Sequence, residues 1–409
     1  MKSVSCRTLP GGWSVVTAKN LADVESLRPV WEKLQNSNQA AAPNADIDRF
    51  ISVIETMKDI AQPHVILLQH NGTGETLVIG RLEKTRLNCK IGYKTLLKPA
   101  LRCLSIVYGG VLGRLTDDTF NILLGELQAT FAKNEADVVF FNHLRTDSPV
   151  HKLITTKPGF FCRGHLTRTE VHRTMPVPEN IERFYEARSK KHRGNLRRYI
   201  KKIQQEYADR ARIAAYQSED QAEEFIKAAS QISGKTYQEK LGSGIKDDEQ
   251  MVHYTRTAAK YGWLRAHVLY LGDEPCAFQY GLQYKKTYFL EQIGFDPKWS
   301  QHNVGTVLFL KVLEELCAAQ QVQTLDFGFG DAEYKRSYCD KCWTEASAYI
   351  FAPRLYPILV NIAQSSITGL SLGLEYVLNK TDLSGRIKRS WRNLLRAKSP
   401  DEASYGGKF

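Results

Sequence analysis

The chain has 409 residues, 43% of them hydrophobic and 24% charged, which suits two or three globular domains and excludes a disordered or fibrous protein. Fifty-six Lys and Arg against 44 Asp and Glu leave a formal net charge of +12, so an anionic partner is expected: nucleic acid, anionic lipid, or a phosphorylated substrate or cofactor. No apolar run reads as membrane-spanning, the first residues lack the continuous apolar core of a signal peptide, and the cytoplasm is the expected location.

The 8 cysteines are scattered, as in a protein of reduced thiols. Cys339 and Cys342 form a CxxC pair, but no second pair stands at zinc spacing, and no metal site is expected.

In chain order, Trp13 to Thr17 reads as a strand. A helix follows, with Leu21, Val24, Leu27, Val30, Trp31 and Leu34 on one face. Asp46 to Ile60 reads as a second amphipathic helix. His64 to Gln69 and Thr76 to Leu82 flank Asn71-Gly72-Thr73-Gly74, a hairpin signal. Leu104 to Val111 is strand-like, Thr119 to Lys133 helical, and Val138 to Phe141 a buried strand. Leu166 to His172 closes this half. Met175 to Asn180, with two prolines, marks a boundary.

The second half opens with a helix over Ile181 to Tyr207. Lys190, Lys191, Arg193, Arg197, Arg198, Lys201 and Lys202 cluster on it beside a narrow stripe of Leu196, Ile200 and Ile203. Such a run is either a solvated face or a contact for a phosphate-bearing ligand or polyanion. Two further helices, Ser218 to Ile232 and Asp247 to Tyr261, flank a polar loop, Lys235 to Gly244, that could form a rim. A hairpin over Leu264 to Gln283 leads into the stretch that organises the rest. Thr287 to Ile293 is a strand, Phe295 to Thr306 a turn-rich loop, and Gly305 to Ala319 an amphipathic helix. Val322 to Phe327 is a short strand, and Asp331 to Tyr338 returns to helix. A strand and loop feeding a helix N-terminus make an anion site, because free backbone N–H groups and the helix dipole converge there. After Pro353 the chain turns apolar, then basic in Arg386 to Lys398, a tail that either docks on its own domain or contacts a membrane surface peripherally.

The loop QHNVG, Gln301 to Gly305, followed by Thr306, is a degenerate form of the QxxGxG or QxxGxA signature of the GNAT acyltransferases. TLDFGFGDAEYK, Thr324 to Lys335, resembles the strand-end motif of the CelD/BcsL (BioF-like) acetyltransferase branch of that superfamily. SKKHRGNLRRYIKKI, Ser189 to Ile203, resembles the basic helix that opens its domain. The resemblance covers about Ser189 to Tyr349. It implies an α/β fold of tandem GNAT-like domains, mixed sheets flanked by helices, related in plan to the Fem aminoacyltransferases. On that reading residues 1–175 are a degenerate first copy, 176–353 the acyltransferase domain, and 354–409 a helical basic tail. An unrelated N-terminal domain is the alternative for 1–175.

The implied activity is direct transfer of an acyl group from acetyl-CoA or another acyl-CoA to an amine or sugar-linked acceptor, in exopolysaccharide or cell-envelope synthesis. Gln301, Asn303, Val304, Gly305 and Thr306 would hold the pyrophosphate, and Gly294 would let the strand splay for the pantetheine arm. Glu291 and Asp326 are carboxylates in apolar strands. Each is a candidate general base if buried, or else a salt-bridge partner of Lys335 or Arg336. Tyr338, with Tyr334 one turn earlier, stands where the family's thiolate-protonating tyrosine is expected; a core aromatic is the other reading. Lys335 would pair with a carboxylate or phosphate, and Arg193, Arg197, Arg198 and Glu333 would contact substrate. A Fem-like transferase using aminoacyl-tRNA, or a non-catalytic polyanion-binding protein on a decayed transferase fold, are the competing readings.

Overall fold

The computed structural model describes residues 5–37, 42–92, 94–236, 244–330 and 332–380. In chain order the elements are β1 (Ser5–Thr8), β2 (Trp13–Ala18), α1 (Leu21–Ser26), α2 (Arg28–Ser37), α3 (Ile47–Thr56), β3 (Ala61–His70), β4 (Thr73–Arg86), β5 (Cys89–Ile91), β6 (Lys94–Leu97) and β7 (Ala100–Gly113). Then come α4 (Asp117–Ala132), β8 (Val138–Arg145), α5 (Pro149–Thr156), β9 (Thr169–Pro176), α6 (Ile181–Glu186), α7 (Lys190–Tyr207), β10 (Ala211–Tyr216), α8 (Ala222–Ser233) and α9 (Glu249–Lys260). The chain closes with β11 (Leu264–Leu271), β12 (Glu274–Tyr284), β13 (Thr287–Phe295), α10 (Val304–Ala319), β14 (Thr324–Phe329), α11 (Glu333–Tyr338), β15 (Lys341–Phe351) and α12 (Leu355–Lys380).

The chain forms two compact units. Of the described residues, one holds those up to Glu170 together with those from Thr344 to Lys380; the other runs from Val171 to Trp343. In the first, the strands lie in the order β1-β2-β3-β4-β7-β8-β15, antiparallel except for the parallel pair β7–β8. The run Val65-Ile66-Leu67-Leu68 is apolar at every position because helices cover both faces of the sheet. Ile66 and Leu68 pack with Phe120, Leu123 and Leu127 of α4, while Val65 and Leu67 pack with Trp31 of α2 and Phe50 of α3.

The second unit repeats this plan. Its order is β9-β14-β13-β12-β11-β10, antiparallel except for the parallel pair β13–β14. Leu269 and Leu271 of β11 join the core under α7 and α10, and Ala266, Val268 and Tyr270 join the core under α8 and α9. Four antiparallel strands, a parallel fifth and an antiparallel sixth thus occur twice, as expected for tandem copies.

The closing strands do not follow the expected boundaries. Glu345 to Phe351 pair with Arg145 to Val138 of β8, so residues assigned from sequence to the second domain complete the first sheet, and α12 belongs to the first unit as well. The two long helices read from periodicity are each two helices. The first breaks at Leu27, with Pro29, which has no N–H, in the first turn of α2, and Ser189 caps α7 by accepting from the His192 amide. The expectation of no membrane-length apolar segment also needs correction, since Leu355–Val377 is long and apolar enough to cross a membrane by length and composition. Asn361, Gln364, Ser365, Ser366, Thr368 and Ser371 interrupt its apolar run, which concealed it. The rim at 237–243, Asp331 and the tail over Arg386 to Lys398 lie outside the described residues.

Candidate active site

In the second unit the parallel pair is short. Only Thr287 to Phe289 pair with Thr324 to Asp326, after which β13 runs on to Phe295 and β14 to Phe329 without pairing. The diverging strands open a cleft in the sheet, and the loop after β13 leads back to it through α10. That loop is a 3-10 turn, Pro297–His302, ending at Asn303, whose left-handed backbone (φ 53°, ψ 37°) reverses the chain into the helix. Asparagine tolerates this region better than most residues.

Val307 N donates to Asn303 O, so the amides of Val304, Gly305 and Thr306 precede the first intrahelical bond. The Asn303 side chain makes no cap bond, and no acidic residue stands in the first turn. Val304 is fully buried, while Gly305 and Thr306 are partly exposed. A Cβ at Gly305 would stand 3.3 Å from Phe295 Cδ1. Trp299 Nε1 and His302 Nδ1 in the loop are buried with no hydrogen-bond partner among the described residues. This donor-rich, uncapped terminus fits a pyrophosphate.

The matching helix of the first unit is closed. Thr116 caps α4, with Thr119 N donating to Thr116 Oγ1 and Thr116 N to Thr119 Oγ1, and Asp117 and Asp118 occupy its first turn. Side chains satisfy the Thr119 and Thr116 amides, and two carboxylates offset the dipole and repel an anion.

Tyr338 reaches the open terminus. Its hydroxyl lies near the Thr306 side chain, in the first turn of α10. The ring stacks on Phe309 at 5.0 Å with a 2° interplanar angle, lies nearly parallel to His192 at 6.0 Å and meets Phe184 at a tilt. Burial pushes the phenol up to about 12, against the opposing pull of the Arg188 guanidinium and the neighbouring Thr306 hydroxyl. Arg188 ties the segment down, donating to Tyr338 O at 3.1 Å and to Phe184 O at 3.0 Å. Tyr334 is half-buried against Phe327, and Glu333 is exposed.

The carboxylates differ from expectation. Asp326 is buried, but it accepts from His172 Nε2 at 2.8 Å and from Gly328 N at 2.6 Å rather than resting on sequence-near lysine or arginine. His172, on β9, stacks on Trp343 at 4.5 Å and meets Phe329 edge-on. Sequence reasoning missed His172 because its partner lies 154 positions away. Glu291 is exposed rather than buried. Tyr280 pairs with Gln292 and Gly281 with Leu290, so Glu291 is the extra residue of a β-bulge just past the point where β13 leaves β14. Lys335 donates to the carbonyls of Phe327 and Phe329, tying α11 to the end of β14. Gly294 serves packing rather than splaying: a Cβ there would stand 2.4 Å from Phe278 Cε1.

On α7, Leu196 and Ile203 are buried, and the basic residues lie on the outer faces. Arg197 is ion-paired with Glu182 and lies over Tyr185, and Arg198 lies over Tyr199. Arg193 is half-buried. Farther along, Lys202 Nζ donates to Gln301 O at 3.3 Å and Glu206 contacts His302 at 2.9 Å, so α7 touches the loop itself. Gln301 is exposed there.

The family described as the acetyltransferase (GNAT) domain matches residues 190–336, which span α7, the loop, α10 and the end of β14. The matched stretch lies within the second unit and covers just over a third of the chain. No curated protein matches. Among solved structures the chain is similar to FemX, at 10% identity with a TM-score of 0.56, covering 81% of this chain and 98% of that one. It is also similar to a conserved protein of unknown function from Bacteroides thetaiotaomicron VPI-5482, at 10% identity, TM-score 0.51, and 85% and 100% coverage. At such identity the likeness is one of fold.

Proposed function

We propose that the second unit transfers an acyl group directly from acetyl-CoA or another acyl-CoA to an amine or sugar-linked acceptor, in exopolysaccharide or cell-envelope synthesis. The observation that carries this is the uncapped start of α10, with the Tyr338 ring stacked on Phe309 of the same helix, beside strands that part after three paired residues. The amides of Val304, Gly305 and Thr306 bind the pyrophosphate, with Lys202 adding positive charge at the loop. The thioester supplies the activated acyl carbon.

Glu291, held out by the bulge, takes the acceptor proton directly or through a water. Tyr338, protonated at neutral pH, gives its proton to the departing thiolate. Asp326 is already engaged by His172 and the Gly328 amide, so it shapes the end of β14 and does not act as the base.

Titration of the purified chain with CoA by calorimetry tests this. Binding by wild type and its loss in Gly305→Glu, which adds bulk and negative charge at the anion site, are expected. Unchanged affinity in a folded Gly305→Glu protein would refute it. A second reading, a Fem-like transferase fed by aminoacyl-tRNA, draws on the FemX-like fold and the exposed basic residues of α7. It requires tRNA binding that weakens with salt and competes with CoA.

A further inference from the structure

We propose that the first unit rests on an anionic lipid bilayer through the outer face of α12. The helix is held lengthwise on its own unit. Asn361 Nδ2 donates to Phe161 O at 3.0 Å and Arg163 O at 2.8 Å, while Ser371 Oγ accepts from Gly92 N at 3.1 Å and from Arg168 Nη2 at 2.7 Å. Crossing a membrane would break these bonds, so the helix lies flat and offers its other face. That face carries Leu355, Leu359, Ile362, Leu370 and Leu374, at steps of four, three, eight and four with Ser366 in the longer gap, on one stripe and exposed by 48 to 77%. From Leu355 to Leu374 the stripe runs about 29 Å at the rise of an α-helix.

The segments bonded to the helix add to it. Phe160 and Phe161 are 61% and 60% exposed, next to the carbonyls that Asn361 holds. Leu96 and Leu97 are 46% and 47% exposed, on the β5–β6 hairpin that α12 packs against. Apolar exposure on this scale marks a partner surface.

Charge identifies the partner. No Asp or Glu occurs between Glu83 and Asp117, where Lys84, Arg86, Lys90, Lys94 and Lys98 lead to and through the hairpin. None occurs between Asp147 and Glu170, the segment of Phe160 and Phe161, which holds Lys152, Lys157, Arg163 and Arg168. On α12 the one acid of the described stripe region, Glu375, is paired with Arg168. Lys157 and Arg168 are ion-paired, with Asp117 and Glu375, and the margin stays net basic. An apolar stripe with such a margin matches a bilayer carrying negative headgroups, into which leucines and phenylalanines insert while lysines meet phosphates. A second copy docked through the same face would bring two basic margins together, and the chain's own 386–398 segment, with six Lys and Arg and no acid, would do the same.

The test is flotation of the full chain with phosphatidylcholine vesicles and with vesicles that also contain phosphatidylglycerol. Binding to the anionic vesicles is expected to exceed binding to the neutral ones by roughly tenfold or more, since each basic residue near the surface contributes about fivefold. Leu359→Glu with Leu370→Glu should abolish flotation while leaving the melting curve intact, because both side chains are exposed. Lys90→Glu with Lys94→Glu and Lys98→Glu should abolish the anionic preference. Failure to float, equal binding to both vesicles, or an undiminished Leu359→Glu/Leu370→Glu variant would overturn the proposal. So would a dimer in sedimentation that this variant dissociates, in a chain that does not float.

Discussion

Replacing Tyr338 with Phe separates the chemical role of its hydroxyl from the structural role of its ring. The ring stays, and with it the stack on Phe309 and the contacts with Phe184 and His192. What goes is the hydroxyl alone, beside the half-buried Thr306 side chain, which can turn to water. The stability cost should therefore be about 1 kcal/mol or less, the net worth of one hydrogen bond. By contrast, Tyr338→Ala opens a cavity and should cost about 3–5 kcal/mol, the range for a lost core aromatic. If the hydroxyl protonates the leaving thiolate, turnover should drop by ~10²-fold or more while CoA affinity barely moves. The pH profile adds a second readout. With its pKa raised to about 12, Tyr338 stays protonated through neutral pH, so a general-acid role predicts no fall in turnover from its titration between pH 7 and 9. Thiol release from acetyl-CoA, followed against an acceptor panel, gives the rates, and denaturant melts give the stability. Full turnover in Tyr338→Phe with a loss of stability near 1 kcal/mol would remove the tyrosine from the mechanism and leave it as core.

Glu291→Gln should lower turnover at a bulge that tolerates the change, with no loss of CoA affinity by calorimetry; wild-type turnover would show that another group, or water, takes the acceptor proton. Asp326→Ala strips the acceptor from both His172 and the Gly328 amide and should destabilise the second unit by ~3 kcal/mol in denaturant melts. His64, on β3, is buried with neither ring nitrogen bonded among the described residues, and burial holds its pKa down to about 4 from 6.5. The unfolded chain takes up this proton first, so the first unit should lose stability as pH falls from about 6.5 to about 4, by roughly 3 kcal/mol in all, and His64→Leu should flatten that slope.

The parts of the site that were legible in the sequence are local. The helix of α10 shows in the spacing of Val307, Leu308, Val312, Leu313 and Leu316, and its anion-binding start shows in a turn-rich loop running into Gly305. The closure of α4 was also written locally, in Thr116-Asp117-Asp118-Thr119, and a search of the first half for capping signals would have found it. What stayed hidden depends on register and on distant pairing. Glu291 reads as an ordinary strand residue until the pairing of β12 with β13 shows it to be the extra one, and a bulge turns an expected buried base into an exposed one. His172 gains its meaning only when β9 lies beside β14, bringing it to Asp326.

The two copies show why fold and function separate within one chain. Both build the same six-strand plan and both let a parallel pair diverge, so the architecture alone offers two clefts. The difference lies in a few atoms at one helix turn. In α4, hydroxyls already hold the Thr116 and Thr119 amides and two carboxylates stand in the first turn; in α10, the chain arrives through a left-handed asparagine whose side chain makes no cap bond. Satisfying a helix start internally stabilises the helix and forfeits the site, whereas leaving it unsatisfied costs about 1 kcal/mol of capping and keeps donors for a ligand. The second unit carries that cost at α10, the helix on whose Phe309 the Tyr338 ring stacks, and this coincidence, more than the degenerate loop signature, supports the chemistry proposed for it.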